Sequence, residues 1–174
     1  PLVDELAAAM NVPVAADPGS VALLPGSRWH EVESLLPAML AAVDRLAAGG
    51  APLRARLIAA PGLALDRLSA LLGDHARRVE LVAADRHRAL AECGAAMVAS
   101  GTATLECALL DVPMIVGYRL QALSYLLAKL LVDVPHIALA NLIARRRAFP
   151  ELIQGRWNPA DLAATTTRLM AHDL

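Results

Sequence analysis

The stretch "VASGTATLECALL", residues 98–110, has the pattern of a buried strand, a tight turn and a helix in direct succession. Its apolar start is followed by Ser100, Gly101 and Thr102, whose small size and polarity favour turns and helix starts. Apolar residues then recur at three- and four-residue intervals, as in an amphipathic helix. A strand that passes directly into a helix is the repeating unit of α/β domains.

The same alternation extends along the rest of the chain. Six short apolar runs are continuous rather than alternating, which is typical of strands covered on both faces. The predicted strands span residues 21–25, 56–60, 79–83, 96–100, 114–118 and 136–140. Helices are predicted at roughly 28–48, 63–73, 86–92, 102–111, 120–132 and 159–172. The regular order of strand and helix predicts one α/β domain with a Rossmann-like, doubly wound parallel sheet.

Composition narrows the functional classes. The chain has 174 residues, of which 57% are hydrophobic, enough for one domain with a full core. Sixteen basic and 17 acidic residues give a net charge of −1, which offers no electrostatic basis for binding nucleic acid. Only 3% of the residues are aromatic, so base-stacking platforms are not expected either.

The reactive and metal-binding residue types form no recognisable pattern. Cys93 and Cys107, the only cysteines, each lie among small and apolar residues and are predicted to be buried free thiols. The five histidines are scattered without ligand spacing, so neither a metal site nor a cofactor is expected. The longest apolar tract, residues 120–143, contains Lys129 and Asp133, which argues against a membrane span.

In a doubly wound sheet, ligands bind beyond the carboxyl ends of the strands. The first such turn is "PGSR", where Gly26 ends a strand and Ser27 is predicted to cap the next helix. Arg28 then falls in the first helical turn, where the helix dipole disfavours positive charge. A bound phosphate would explain Arg28, and so would an arginine that is simply solvated.

The second turn is the one between residues 98 and 110. Ser100 or Thr102 is predicted as the N-cap, but Glu106 lies too far along for a capping box, which places its acid three residues after the cap. Glu106 either favours the helix dipole or accepts hydrogen bonds from the hydroxyl groups of a ligand.

Two further places follow predicted strands. Tyr118 and Arg119 end the strand at 114–118, and Asn141 follows the predicted strand at 136–140. An exposed strand end and a turn residue are the alternatives to a binding role. No glycine-rich dinucleotide motif, P-loop or nucleophile elbow is present, so the residues alone indicate an α/β domain with anion-friendly turns.

Several motifs in order resemble one family. "LLPGSR", "ASGTATLECAL", "PMIVGYR", "LAKLLV", "NLIA" and "PELIQ" are similar to the carboxyl-terminal half of the lipid-A-disaccharide synthases, and "PLVDEL" resembles the segment that joins their two halves. The resemblance covers nearly the whole chain, with Arg145 where the family usually has glycine. It implies a two-domain GT-B glycosyltransferase. Residues 1–174 would be its nucleotide-sugar-binding domain, and the amino-terminal acceptor domain would be absent from this chain.

The resemblance also implies a reaction. The family transfers 2,3-diacylglucosamine from UDP-2,3-diacylglucosamine to 2,3-diacylglucosamine 1-phosphate, which yields the lipid A disaccharide and UDP without a metal. The acceptor site and the proposed general base would lie in the absent half. A cytoplasmic location, peripheral at the inner membrane, is implied, and a homodimer is a further expectation. The leucine-rich stretch 120–132 would be a core helix or a contact with the other domain, a second subunit or lipid chains.

Carried onto this sequence, the resemblance assigns roles to the turns. The donor pyrophosphate would be approached by Gly26, Ser27, Arg28, Ser100, Gly101 and Thr102. Glu106 would hold the ribose hydroxyls, and Tyr118, Arg119 and Asn141 would line the donor pocket. The alternatives are a non-catalytic nucleotide-binding module and the donor half of another UDP-sugar transferase or epimerase.

Overall fold

The computed structural model describes residues 15–50, 53–118, 139–144 and 148–171. These residues form a parallel sheet with helices on both faces. The strands are β1 (Asp17–Leu24), β2 (Arg54–Ile58), β3 (Val79–Val82), β4 (Cys93–Ala99), β5 (Met114–Tyr118) and β6 (Glu151–Ile153). The α-helices are α1 (Trp29–Ala48), α2 (Leu65–Leu72), α3 (Arg86–Ala91), α4 (Ala103–Leu109), α5 (Leu139–Ala144) and α6 (Pro159–Met170), and short 3₁₀ turns span Gly73–Arg77 and Gln154–Arg156.

The strand order confirms the predicted doubly wound sheet. The order is β3-β2-β1-β4-β5-β6, and every pair of neighbouring strands is parallel. The chain therefore builds outward from β1 to β3, crosses back, and builds outward in the other direction from β4. Strands β1 and β4 meet at the switch point, where the loops after their carboxyl ends diverge and leave a crevice.

Two hydrophobic clusters hold the helices to the sheet, one on each face. On one face, α1, α2 and α6 pack through Leu36, Leu68 and Leu162 against inward-facing residues of the strands. On the other face, α3 and α4 pack through Leu90 and Cys107. Because the strands are buried on both sides, their sequences lack polar alternation, and this is why the apolar runs revealed them.

A close contact between Gly117 and Trp157 fixes the β5 end of the domain. A Cβ atom at Gly117 would overlap the indole ring of Trp157, which packs against this part of the strand. The indole Nε1 donates a hydrogen bond of 3.2 Å to the carbonyl oxygen of Leu35 in α1. The tryptophan thus joins β5 to α1, the helix that follows the first candidate turn.

The sixth predicted strand is wrong at its end. Leu139 and Ala140, the last two residues of the strand predicted at 136–140, belong to α5, while residues 136–138 lie outside the described residues. The sixth strand among the described residues is β6, whose Leu152 pairs with Gly117. The strand has only three residues, one of them the buried Glu151, so it carries no apolar run for pattern analysis to detect. The helix predicted at 120–132 lies outside the described residues.

The prediction for the two cysteines is confirmed. Both thiols are free and buried, and burial raises the pKa of Cys93 and Cys107, so little nucleophilic thiolate forms at neutral pH. Over the part of the chain that the structure describes, no helix combines the length and the apolar character that a membrane crossing needs.

Candidate functional site

A cleft of about 540 Å³ opens at the switch point, beyond the carboxyl ends of β1 and β4. The turn after β1 forms one wall and the turn after β4 forms the facing wall. Seven of the ten site residues expected from the sequence line this cleft: Gly26, Ser27, Arg28, Ser100, Gly101, Thr102 and Glu106. The topology therefore brings two turns more than 70 residues apart in sequence into one concave surface.

The first turn is built around Glu31. Gly26 has a φ of +119°, a conformation that only glycine adopts readily, and a Cβ there would collide with the Glu31 side chain. Glu31 Oε2 accepts hydrogen bonds from the backbone N–H groups of Ser27 (3.0 Å) and Arg28 (3.2 Å). Its other oxygen pairs with the Arg28 guanidinium at 3.3 Å.

This geometry corrects two expectations about the first turn. The N-cap of α1 is Arg28 rather than Ser27, because the helix begins one residue later than predicted, at Trp29. The amide groups expected to face a phosphate already donate to Glu31, which lies at the third helical position, where a capping glutamate is favourable. The unusual position of Arg28 thus has a partner within the protein. Its side chain nevertheless remains 71% exposed at the cleft.

The second turn is shaped by hydrogen bonds of Ser100, Gly101 and Thr102. The N–H of Ser100 donates to the carbonyl oxygen of Gly117 (2.8 Å), so this amide belongs to the sheet and not to a ligand site. Thr102 is the N-cap of α4, and the Gly101 carbonyl accepts from the Thr104 hydroxyl (2.7 Å). Nothing lies within 4 Å of a Cβ built on Gly101, which leaves its backbone open for close approach.

Glu106 lies one turn into α4 and is only 7% exposed. Its Oε2 lies 3.4 Å from Nε2 of His87 and 3.5 Å from a terminal nitrogen of Arg86. Neither approach meets hydrogen-bond geometry: Glu106 Oε2, His87 Nε2 and Arg86 Nε are all buried without a hydrogen-bond partner. A buried carboxylate oxygen in this state is incomplete, because buried polar atoms are normally paired.

Arg86 and His87 are the site residues that the sequence analysis missed. Both begin α3, directly after β3, and both line the cleft. Asp85, the N-cap residue, has a φ of +48°, so the chain turns sharply immediately before the helix. The rule that selected the other turns, polar residues directly after a buried strand, applies equally to "DRH" and could have found them.

The three remaining predicted residues have different placements. Tyr118 is half-buried and lines an adjacent cavity of about 310 Å³, whose wall it shares with Arg28 and Ser100. Arg119 lies outside the described residues, as does Arg145. Asn141 does not follow a strand as expected. It lies in α5, lines neither cavity, and is fully buried.

The side chain of Asn141 is occupied by the connection to β6. Its Nδ2 donates to the carbonyl oxygen of Phe149 (2.9 Å) and to Glu151 Oε1 (2.8 Å), and its Oδ1 accepts from the Phe149 N–H (2.9 Å). These contacts support a positioning role for Asn141, and its place in a donor pocket stays a prediction. Among the described residues, no group of three or more His, Cys, Asp and Glu could hold a metal ion.

The fold and the cleft define the class: a Rossmann-like, doubly wound α/β domain with a cleft at its switch point. Escherichia coli ADP-heptose lipopolysaccharide heptosyltransferase II matches 98% of the chain with 52% of its own, at a TM-score of 0.56 and 14% identity. TarM matches 93% of the chain with 30% of its own, at a TM-score of 0.57 and 12% identity. At such identities these structures establish the fold alone.

Sequence comparison establishes the family. The model of the lipid-A-disaccharide synthetase family matches residues 4–173, and the chain belongs to this family. A lipid-A-disaccharide synthase of Syntrophus aciditrophicus is 44% identical over 85% of the chain and 39% of its own length. One from Pseudomonas aeruginosa is 40% identical over 96% of the chain and 44% of its own length. The chain thus spans about two fifths of the length of these relatives.

Proposed function

We propose that this chain is the UDP-sugar-binding part of a lipid-A-disaccharide synthase and that the cleft between β1 and β4 holds the nucleotide. One observation carries the proposal: a buried carboxylate, Glu106, and an exposed guanidinium, Arg28, line the same cleft. A nucleoside diphosphate has hydroxyl groups at its ribose and negative charge at its phosphates. In this proposal, the carboxylate accepts hydrogen bonds from the ribose hydroxyls and the guanidinium balances the negative charge of the phosphates.

The diphosphate is expected to lie between Arg28 and the open backbone of Gly101. The first-turn amides are occupied by Glu31, so the guanidinium supplies the positive charge on that wall. On the other wall, the N-terminus of α4 adds the partial positive charge of a helix dipole. Both features lie at the rim of the cleft, while Glu106 lies deeper.

The same groups favour departure of UDP. When the bond between the sugar and the diphosphate breaks, negative charge grows on the leaving phosphate. A positive group already fixed beside that oxygen stabilises the transition state more than the ground state, which lowers the barrier. In this proposal Arg28 performs that role, and no metal ion is required.

The rest of the reaction is assigned to the part of the protein beyond this chain. We propose that the whole protein transfers 2,3-diacylglucosamine from its UDP donor to 2,3-diacylglucosamine 1-phosphate, with the lipid acceptor and general base held by a second domain. The family membership and the coverage of two fifths of the relatives support this division. A cytoplasmic location at the surface of the inner membrane and a homodimer belong to the same proposal.

Calorimetric titration with UDP tests the assignment. Arg28→Ala and Glu106→Gln are each expected to weaken UDP binding about tenfold or more, because each removes a charge-assisted hydrogen bond. Arg67→Ala is the matched control, since Arg67 is half-exposed and packs over Trp29 away from the cleft. Undiminished binding in both cleft variants, or no binding of UDP by the parent chain at millimolar concentration, would overturn the proposal.

A further inference from the structure

The cluster of Arg86, His87 and Glu106 is a second polar feature of the cleft, distinct from the groups assigned to the diphosphate. Its three partnerless atoms are Arg86 Nε, His87 Nε2 and Glu106 Oε2, and all three are buried. The side chains are 19%, 14% and 9% exposed respectively, so bulk water reaches them poorly. Buried polar atoms without partners are costly, and such a group persists where a ligand completes it.

The spacing of the cluster selects the chemistry of that ligand. His87 Nε2 and Glu106 Oε2 lie 3.4 Å apart but are not aligned for a mutual hydrogen bond. A carboxylate only accepts hydrogen bonds, whereas an imidazole nitrogen that bears a proton donates one. A group that bridges them must therefore accept from one and donate to the other.

An alcohol is such a group, because a hydroxyl is donor and acceptor at once. A phosphate oxygen is an acceptor only, and it would bring a second negative charge against Glu106. Arg86, whose terminal nitrogen lies 3.5 Å from the same carboxylate, already balances the charge of Glu106. The cluster is thus suited to neutral hydroxyl groups and not to the diphosphate.

We infer that His87 is a specificity-determining residue for the nucleotide: together with Glu106 it brackets the vicinal hydroxyls of the ribose, while Arg86 positions the carboxylate. This inference rests on the proposed binding of UDP in the same cleft. It extends the site to the turn after β3, in addition to the turns after β1 and β4. The diol is then recognised by two side chains from different helices.

The test compares UDP with 2′,3′-dideoxy-UDP, which lacks both hydroxyls. The parent is expected to prefer UDP by about 100-fold, since the dideoxy compound leaves two buried polar groups without partners. His87→Ala is expected to reduce that preference to about tenfold or less, because it weakens the binding of UDP and leaves the binding of the dideoxy compound nearly unchanged. His87→Gln, which keeps an N–H donor, is expected to recover part of the preference.

The controls separate this inference from its alternatives. His75→Ala, a histidine outside the cleft that faces Asp44, is expected to keep the preference of the parent. If His87→Ala weakens the binding of both nucleotides by the same factor, or also weakens the binding of inorganic pyrophosphate, His87 does not contact the diol and the inference is overturned. If the parent binds neither nucleotide, the proposed function itself fails. Thermal unfolding of each variant shows whether its fold is retained.

Discussion

The role of Glu31 leads to a prediction that separates stability from ligand binding. In the free protein this carboxylate accepts two N–H groups at the start of α1 and pairs with Arg28. It is therefore an internal anion at the place where the sequence alone suggested a bound phosphate. Glu31→Gln removes the charge while keeping the size of the side chain.

The expected loss of stability follows from these contacts. Glutamine keeps an oxygen that accepts from these N–H groups, so the cost comes from the lost charge, which contributes about 0.3–1 kcal/mol near a helix N-terminus. The exposed pair with Arg28 adds little, because half-exposed ion pairs contribute about 0–1 kcal/mol. The sum is about 0.3–2 kcal/mol, which corresponds to a fall in melting temperature of roughly 1–8 °C for a domain of this size.

Binding is expected to change in the opposite direction. With the carboxylate neutralised, Arg28 is released toward the cleft and no negative charge opposes the diphosphate, so UDP binding should tighten by about two- to tenfold. Denaturant unfolding and calorimetric titration of the same preparations measure the two effects. Glu33→Gln is the control, since Glu33 lies on the same helix but pairs with Arg67 outside the cleft. Weaker UDP binding by Glu31→Gln at unchanged stability would refute the reasoning and make Glu31 a ligand contact.

Three further predictions concern the fold. Gly117→Ala should lower the free energy of unfolding by about 1–3 kcal/mol, measured by denaturant titration, because the new methyl group overlaps the ring of Trp157; an unchanged midpoint would contradict that packing. The hydrogen bond from Arg56 lowers the pKa of Glu92, so their pair stabilises the fold above the ordinary glutamate pKa of about 4.3 and is lost as the pH falls through the lowered value. Glu92→Gln should therefore destabilise at pH 7 by about 0.5–1 kcal/mol and much less near pH 3; an equal loss at both values would contradict this. The two cysteines should resist a thiol reagent in the native protein and react within seconds to minutes in denaturant, since burial raises the pKa of both; fast native labelling would contradict their burial.

Much of the fold could be predicted because its determinants are local. Strands buried on both faces are continuous apolar runs, and β1, β4 and β5 were found in this way to within a few residues. A three-residue edge strand such as β6 cannot be found from an apolar run. It is held by its pairing with β5 and by a hydrogen bond from Asn141, and both contacts come from other segments of the chain. The strand predicted at 136–140 is wrong at Leu139 and Ala140, which belong to α5, because a short apolar run does not distinguish a strand from a helix segment.

Site residues could be predicted where a local turn motif marks them. They could not be predicted where the contact depends on the exact start of a helix or on the order of the strands. The turns at Gly26 and Gly101 carry glycine and hydroxyl residues directly after strands, which is a local signal. The hydrogen bonds from the first-turn amides to Glu31 are local, and Glu31 has capping-box spacing from Arg28; they were missed because the N-cap was predicted at Ser27, one residue too early. The convergence of His87 on Glu106 depends on the order β3-β2-β1-β4, which is known only once the sheet is built.

The central claim, that UDP binds in the cleft at the switch point, is tested most directly by amide hydrogen exchange of this chain with and without UDP. The claim predicts slower exchange in segments 25–31, 85–88 and 100–106, which line the cleft. Exchange in α6 and in the α1–α2 groove around Leu36 and Leu71 should stay unchanged. Protection confined to that groove, or UDP binding without protection of 100–106, would contradict the account.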